Sequence, residues 1–210
     1  MIEFYFDFVS PYAYVASSLI ESIGARCGRD VVWKPFRLGV AVTKVMGLRP
    51  VMETPLKSEY TLSDIARVAR IYGTPLCEDL RTIDPLPAQR VFHALDHDDR
   101  ARFAKSALQE RWANGLDISR PEALESLLSG MGLKPELVRF ALEAPDTKAA
   151  VRSATEAAIA KGVFGSPFFL IGQEKFWGVD RLGMMVDYLE AGCRYVAQPP
   201  LTGALQRWLR

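Results

Sequence analysis

Ile2-Glu3-Phe4-Tyr5-Phe6-Asp7-Phe8-Val9-Ser10-Pro11-Tyr12 joins two structural periods at one point. Ile2, Phe4, Phe6 and Phe8 alternate with period two, with Tyr5 among them, which predicts a buried strand over Ile2 to Phe8. The strand stops at Val9-Ser10-Pro11. Ser10 is a good N-cap residue, and Pro11 then takes the first helical position, where a missing N–H removes nothing. Tyr12, Val15, Ala16, Leu19, Ile20 and Ile23 follow at helical spacing, and the helix runs out between Gly24 and Gly28. Val31 to Leu38 reads as a second strand, and Pro35 inside it favours a sheet edge or a bulge. Strand, helix, strand implies a crossover and a parallel pair.

Beyond this opening the chain turns helical. Thr61-Leu62-Ser63-Asp64 offers capping chemistry for a helix whose apolar face is Leu62, Ile65, Val68, Ala69 and Tyr72, ended by Gly73 and Pro75. After a loop through Asp84-Pro85, helices are expected from Leu86 to about Asp98, Arg100 to Asn114, Pro121 to Ser129 and Pro135 to Glu143. The last third returns to mixed structure. A helix over Thr147 to Lys161, capped by Asp146 and closed by Gly162, leads to Val163-Phe164-Gly165-Ser166-Pro167. Phe168 to Ile171 and Lys175 to Trp177 form a hairpin around Gly172-Gln173, and Asp180 to Glu190 is the final helix. Leu201, Leu205, Trp208 and Leu209 give the tail an amphipathic character. By periodicity alone this is an α/β chain with an all-α insertion.

Composition excludes several classes. The 210 residues are 49% hydrophobic and 24% charged, with 26 basic and 25 acidic side chains, so no basic excess points to nucleic acid or to an anionic membrane surface. No apolar run is long enough to span a bilayer, and no charged leader precedes an apolar stretch at the N-terminus. Cys27, Cys77 and Cys193 are far apart and form no CxxC pair, which argues against a disulfide framework or a zinc site and for a reducing compartment, the cytoplasm. His93 and His97 stand four apart, as two metal ligands on one helix do, but no HExxH glutamate or third ligand accompanies them; no metal is expected.

Three places carry possible chemistry. Ser10 puts a hydroxyl at a helix N-terminus, where free N–H groups and the macrodipole favour an anion; as an alternative it is only a cap. Phe164-Gly165-Ser166-Pro167-Phe168-Phe169 places a proline before a buried strand, either in a cis bond that turns the Ser166 backbone toward a ligand or as an ordinary trans strand entry. Asp180, in Phe176-Trp177-Gly178-Val179-Asp180-Arg181-Leu182, is either a helix cap or an acceptor for an amino group.

Together DFVSPYAY and KGVFGSPFFLIGQEKFWGVDRL resemble the 2-hydroxychromene-2-carboxylate isomerase family, which is similar to the kappa class of glutathione transferases and, more distantly, to bacterial DsbA. The resemblance runs to about Gly192. It implies a thioredoxin-like domain, residues 1–45 and 146–194, holding an α-helical insertion, 46–145, with a C-terminal tail at 195–210. In redox relatives a cysteine opens the first helix. Ser10 stands there in this chain, so the resemblance implies that the thiolate comes from bound glutathione, with Ser10 donating a hydrogen bond to its sulfur. It further implies glutathione contacts from Pro11, Lys57, Ser166, Pro167, Val179 and Asp180. Leu48 and Asp84-Pro85 depart from the family pattern, in which an asparagine stands at the first and Asn-Thr at the second. The implied reaction is thiolate addition to a conjugated aromatic keto acid, rotation, and elimination. Lys34, Arg37 and Arg81 are candidates for the substrate carboxylate, and Asp84 borders the same pocket. A kappa-type transferase, a noncatalytic binding protein and a disulfide oxidoreductase are the competing readings; the missing CxxC speaks against the last. The resemblance also implies a homodimer.

Overall fold

A computed structural model describes residues 1–195 of the chain; the amphipathic tail beyond Tyr195 lies outside the described residues. Strand β1 (Ile2–Phe6) leads through a tight turn into helix α1 (Pro11–Arg26), and β2 (Val31–Pro35) returns parallel to β1. Gly24 lets α1 end close against this return: a Cβ there would lie 2.6 Å from Val31 Cγ2 and 2.7 Å from Arg29 O. A single turn, α2 (Leu38–Val40), continues into a wider helical turn over Ala41–Val45. Helices α3 (Lys57–Ile71), α4 (Leu86–Ala94), α5 (His97–Trp112), α6 (Pro121–Gly130), α7 (Leu137–Glu143) and α8 (Pro145–Ala160) follow. The chain then forms the hairpin of β3 (Phe168–Ile171) and β4 (Glu174–Trp177), a 3-10 turn at Val179–Arg181, and α9 (Leu182–Glu190). The sheet order is β2-β1-β3-β4, with β3 antiparallel to both neighbours. Pro35 sits on an edge strand, where its lack of an N–H is tolerated.

Period-two alternation decides which layer each strand residue joins. Ile2, Phe4 and Phe6 face one side, with Phe169, Ile171 and Phe176, under α1, α4, α5 and α9. Tyr5, Phe168 and Leu170 face the other, with Phe36 and with Ala158 of α8. Aromatic rings carry the first core continuously from the sheet into the helical segment. Phe4 stacks on Phe169 at 5.4 Å, Phe6 meets Phe92 edge-on at 6.0 Å, and Phe8 meets Phe103 at 6.2 Å. Helices of the 86–142 region and the sheet therefore share one apolar cluster.

Several boundaries differ from the sequence reading, each for a local reason. β1 ends at Phe6 because the Asp7 carboxylate turns the chain, accepting Val9 N and Leu38 N. β2 ends at Pro35, short of Leu38. α3 begins at Lys57, so Thr61 and Ser63 are interior residues whose hydroxyls donate back to Lys57 O and Glu59 O instead of capping. The expected helix from Leu86 to Asp98 breaks after Ala94: Leu95 and Asp96 are extended, and the Arg100 guanidinium takes the freed carbonyls of His93 and Leu95. α8 starts on Pro145, ahead of Asp146, and Thr147 closes the preceding turn by donating to Ala141 O and Ala144 O. α9 starts at Leu182, so Asp180 caps no helix. Among the described residues no helix is long and apolar enough to cross a membrane.

Candidate active site

Ser10 is the N-cap of α1, as its sequence position requires. Its Oγ accepts Ala13 N–H at 3.2 Å and donates to Ser166 O at 2.8 Å. This second bond crosses from the first helix to the loop before β3 and joins the two sequence motifs. The Ser166–Pro167 bond is cis. The Ser166 hydroxyl accepts Asp7 N–H at 2.9 Å, so the two serines and the 7–10 turn are tied from both sides. Both serines are buried. The Phe8 carbonyl in the same turn accepts Trp112 Nε1–H at 3.0 Å, which anchors the turn to the end of α5.

Pro167 O accepts Gly178 N–H at 3.1 Å, which brings Val179 and Asp180 beside the proline loop. Gly178 has φ +103°, and a Cβ there would lie 2.3 Å from Asp180 Oδ1, so a side chain at this position would collide with the carboxylate. Val179 is buried, and its carbonyl accepts the Tyr72 hydroxyl at 3.5 Å. Asp180 is exposed and pairs with Arg181 at 2.9 Å. Helix α3 packs against α1. Tyr12 donates to Asp64 at 2.9 Å, and Arg67 and Tyr60 converge on the same carboxylate. Burial first, then the hydrogen bond to Asp64 and that group's charge, pushes the Tyr12 phenol well above its ordinary value, so it remains a donor. Lys57 opens α3, exposed, two turns before Asp64.

The structure brings Ser10, Pro11, Ser166, Pro167, Val179 and Asp180 together through these contacts, with Lys57 at the entrance of the neighbouring helix. It separates the substrate candidates. Arg37 and Asp84 face each other across a loose 3.9 Å ion pair. Lys34 instead pairs with Glu3 at 3.4 Å on the sheet, and Arg81 pairs with Asp79 at 3.0 Å and Asp117 at 3.3 Å. Both are engaged by these carboxylates. His93 and His97 fall on separate helices, because the break at Leu95 and Asp96 removes the one-helix spacing. His93 is held neutral well into the acid range, its value pushed down to about 4 by burial and by Arg100.

Two residues of the site carry more than their sequence positions suggested. Among the described residues Asp7 is the one buried carboxylate, and burial pushes it up to about 6 against the pull of Leu38 N–H, Val9 N–H, Arg37 and Gln89. Gln89 of α4 donates from Nε2 to Asp7 Oδ1 and Phe36 O, both at 3.1 Å. The sequence offered little sign of Asp7, which falls in the same phase of the strand alternation as Glu3. Gln89 had none, since its partners lie far away in sequence.

A family model for the DSBA-like thioredoxin domain matches residues 1–190. The chain belongs to the DSBA-like thioredoxin domain family. Within it the chain is 26% identical, over 196 residues, to a 2-hydroxychromene-2-carboxylate isomerase of Sphingobium xenophagum, covering 90% of this chain and 97% of that one. It is 26% identical, over 206 residues, to glutathione S-transferase kappa 1 of Caenorhabditis elegans, covering 90% of each. A solved structure of a 2-hydroxychromene-2-carboxylate isomerase matches with a TM-score of 0.82 at 24% identity, covering 92% of this chain and 96% of that one. The family membership expected from the two motifs and the thioredoxin-type α/β fold with its helical insertion are thus borne out. In this DSBA-like chain the position that opens α1 carries a hydroxyl, and Cys27, Cys77 and Cys193 are all unpaired.

Proposed function

We propose that the protein is a glutathione-dependent isomerase of a conjugated aromatic keto acid, interconverting 2-hydroxychromene-2-carboxylate and trans-o-hydroxybenzylidenepyruvate or a close relative. The observation that carries this reading is the Ser10–Ser166 pair: a helix N-terminus and a cis-proline loop joined by a hydroxyl where a redox relative would place a thiol. Such a cradle favours a sulfur anion but supplies none. Names of the isomerase and kappa transferase relatives support the same class.

The residues present suit a tripeptide thiol. When bound, glutathione supplies a thiolate that adds reversibly to the substrate double bond, letting it rotate before elimination. Ser10 turns its hydroxyl proton from Ser166 O toward the sulfur, and the α1 N-terminus favours the negative charge. The first-turn amides of Ala13 and Tyr14 are already taken by Ser10 Oγ and Ser10 O, which leaves Tyr12 N–H for the anion. Pro11 shapes the turn without a competing donor. The Ser166 backbone beside Pro167 lies along the peptide, Val179 adds backbone contacts, Asp180 receives the amino end, and Lys57 receives a carboxylate. Leu48, exposed and apolar, offers that peptide no hydrogen bond. Arg37, held only loosely by Asp84, takes the substrate carboxylate; Lys34 and Arg81 are satisfied elsewhere. Thiols that remain unpaired agree with work in the cytoplasm. A homodimer completes the proposal and is checked by light scattering.

Calorimetric titration with glutathione, followed by thiolate absorbance, tests the reading. Wild type should bind with a thiolate signal near neutral pH, and Ser10→Ala should bind more weakly and lose the signal. No binding at millimolar glutathione sinks it. The transferase relative makes one second reading specific: an isomerase leaves total glutathione constant during turnover of a hydroxychromene carboxylate, whereas a kappa-type transferase consumes it.

A further inference from the structure

Asp7 is bonded to the Ser10 turn, to the proline loop and to two further segments of the chain. Its carbonyl accepts Ser10 N–H at 3.0 Å, and its N–H donates to Ser166 Oγ at 2.9 Å. Its Oδ1 accepts Val9 N–H at 3.2 Å and Gln89 Nε2–H at 3.1 Å, and its Oδ2 accepts Leu38 N–H at 2.8 Å. Leu38 follows Arg37, the proposed substrate cation. Four pieces of chain are thereby joined: the 7–10 turn, the proline loop, the 36–38 segment and α4.

The Gln89 amide shows how charge enters this arrangement. Its Nε2 protons go to Asp7 Oδ1 and Phe36 O, while its buried Oε1 has no hydrogen-bond partner. With Asp7 ionised, inverting the amide would set Oε1 against a carboxylate and a carbonyl, acceptor against acceptor. A proton on Asp7 reverses the preference. On Oδ1 it competes with Gln89 Nε2–H and Val9 N–H and makes the unpartnered Oε1 the better mate; on Oδ2 it displaces Leu38 N–H. Either way one tie between segments opens.

We propose that Asp7 is a positioning residue whose carboxylate holds the Ser10 turn, the Arg37 segment and α4 in the arrangement that binds the tripeptide thiol, and whose protonation releases it. This rests on the functional reading above. Around the carboxyl, the 36–38 segment contributes one cation, Arg37, itself in loose contact with Asp84. Gln89 from α4 and Ser10 and Ser166 from the site are uncharged. Burial sets the transition at about 6, so the site forms as pH rises through that value.

S-methylglutathione separates this titration from that of the ligand's own thiol, because its sulfur cannot ionise. Calorimetry should show wild type binding it about tenfold more weakly at about pH 5 than at about pH 7, the factor expected when only the ionised fraction is competent. Asp7→Asn should bind weakly at both, with no pH dependence. Amide resonances of Val9, Ser10 and Leu38 in the free wild-type protein should move with one midpoint near that of the Asp7 carboxyl. Wild-type affinity that stays flat while the carboxyl titrates overturns the proposal, and so does an Asp7→Asn variant with wild-type affinity. Failure of both glutathione and S-methylglutathione to bind at any pH refutes the functional reading instead. In that case, or if Asp7→Asn does not fold, the three wild-type amides decide: a shared midpoint upholds Asp7 as the residue that positions these segments, and independent or absent titration refutes it.

Discussion

Urea denaturation of wild type and Asp7→Asn across a pH series measures what the buried carboxylate costs the fold. Asp7 is 1% exposed, and its value rises from 3.8 to about 6 on folding. Desolvation is the largest cause; Leu38 N–H, Val9 N–H, Arg37 and Gln89 act against it and do not cancel it. The sign follows from proton counting. Between these two values the folded protein holds the proton and the unfolded chain does not, so stability falls as pH rises. Asp7 therefore contributes stability that is complete below about pH 4 and gone once the pH has passed its folded value. Two pKa values about two apart correspond to about 3 kcal/mol. Asparagine cannot titrate, so the stability of wild type relative to the variant should fall by about 2 kcal/mol of that full swing between about pH 4 and about pH 7. Glu3, in which Lys161, Tyr5 and Lys34 outweigh the effect of burial, and Asp117, held down first by the Ser119 hydroxyl, act in the opposite direction. Both proteins share them, so they drop out of the difference. A difference that stays flat, or that grows with pH as a salt-bridged carboxylate would make it grow, refutes the reasoning.

Other substitutions probe the rest of the site. Ser10→Cys should create a thiol more acidic than a free cysteine, with a midpoint below about 8.5, because it sits at the α1 N-terminus; the pH dependence of its alkylation rate measures this. Trp112→Phe removes the donor to Phe8 O, and leaving that buried carbonyl unpaired should cost about 1–3 kcal/mol in urea denaturation. Gly165→Ala places a Cβ 2.0 Å from Trp177 Nε1, so the indole must leave its edge contact with Phe164; its fluorescence should shift and Tm should fall.

How much of this was legible depended on whether the determining contacts were local. The join of β1 and α1 was readable because apolar alternation, a capping serine and a proline follow one another within a few residues. Val179 entered only through the family resemblance, whereas the turn at Ser166 and Pro167 was readable for the same reason as that join, lying directly before a strand. The break between α4 and α5 was not: Leu95 and Asp96 carry no glycine or proline, and the break is stabilised by Arg100 reaching back to two carbonyls. The start of α3 was misplaced because Thr61 and Ser63 look like caps in sequence and bond backwards in the helix. Lys34 and Arg81 resembled free cations until Glu3, Asp79 and Asp117 were seen beside them. Asp7 was not singled out in the sequence, because its role depends on Leu38, 31 residues away, and Gln89, 82 residues away.

The bonds that Ser10 already makes bear on how a hydroxyl can replace a thiol. Its proton goes to Ser166 O and its lone pair to Ala13 N–H, so serving a ligand means giving up the Ser166 bond. For a neutral thiol that exchange trades an ordinary hydrogen bond, worth about 1 kcal/mol, for a weaker one to sulfur. For a thiolate it trades the same bond for a charge-assisted one, roughly twice as strong, reinforced by the helix N-terminus. On the proposed reading the pair is therefore a discriminator as well as a support: it lets the hydroxyl turn only toward a sulfur that carries charge. A buried acid is bonded to both serines. Asp7 fixes Ser10 N–H and Ser166 Oγ through its backbone, and its carboxylate accepts bonds from Leu38, Val9 and Gln89 that favour the charge against burial. On the proposed reading, stability given up in holding that charge secures the arrangement of the segments around the N-terminal end of α1.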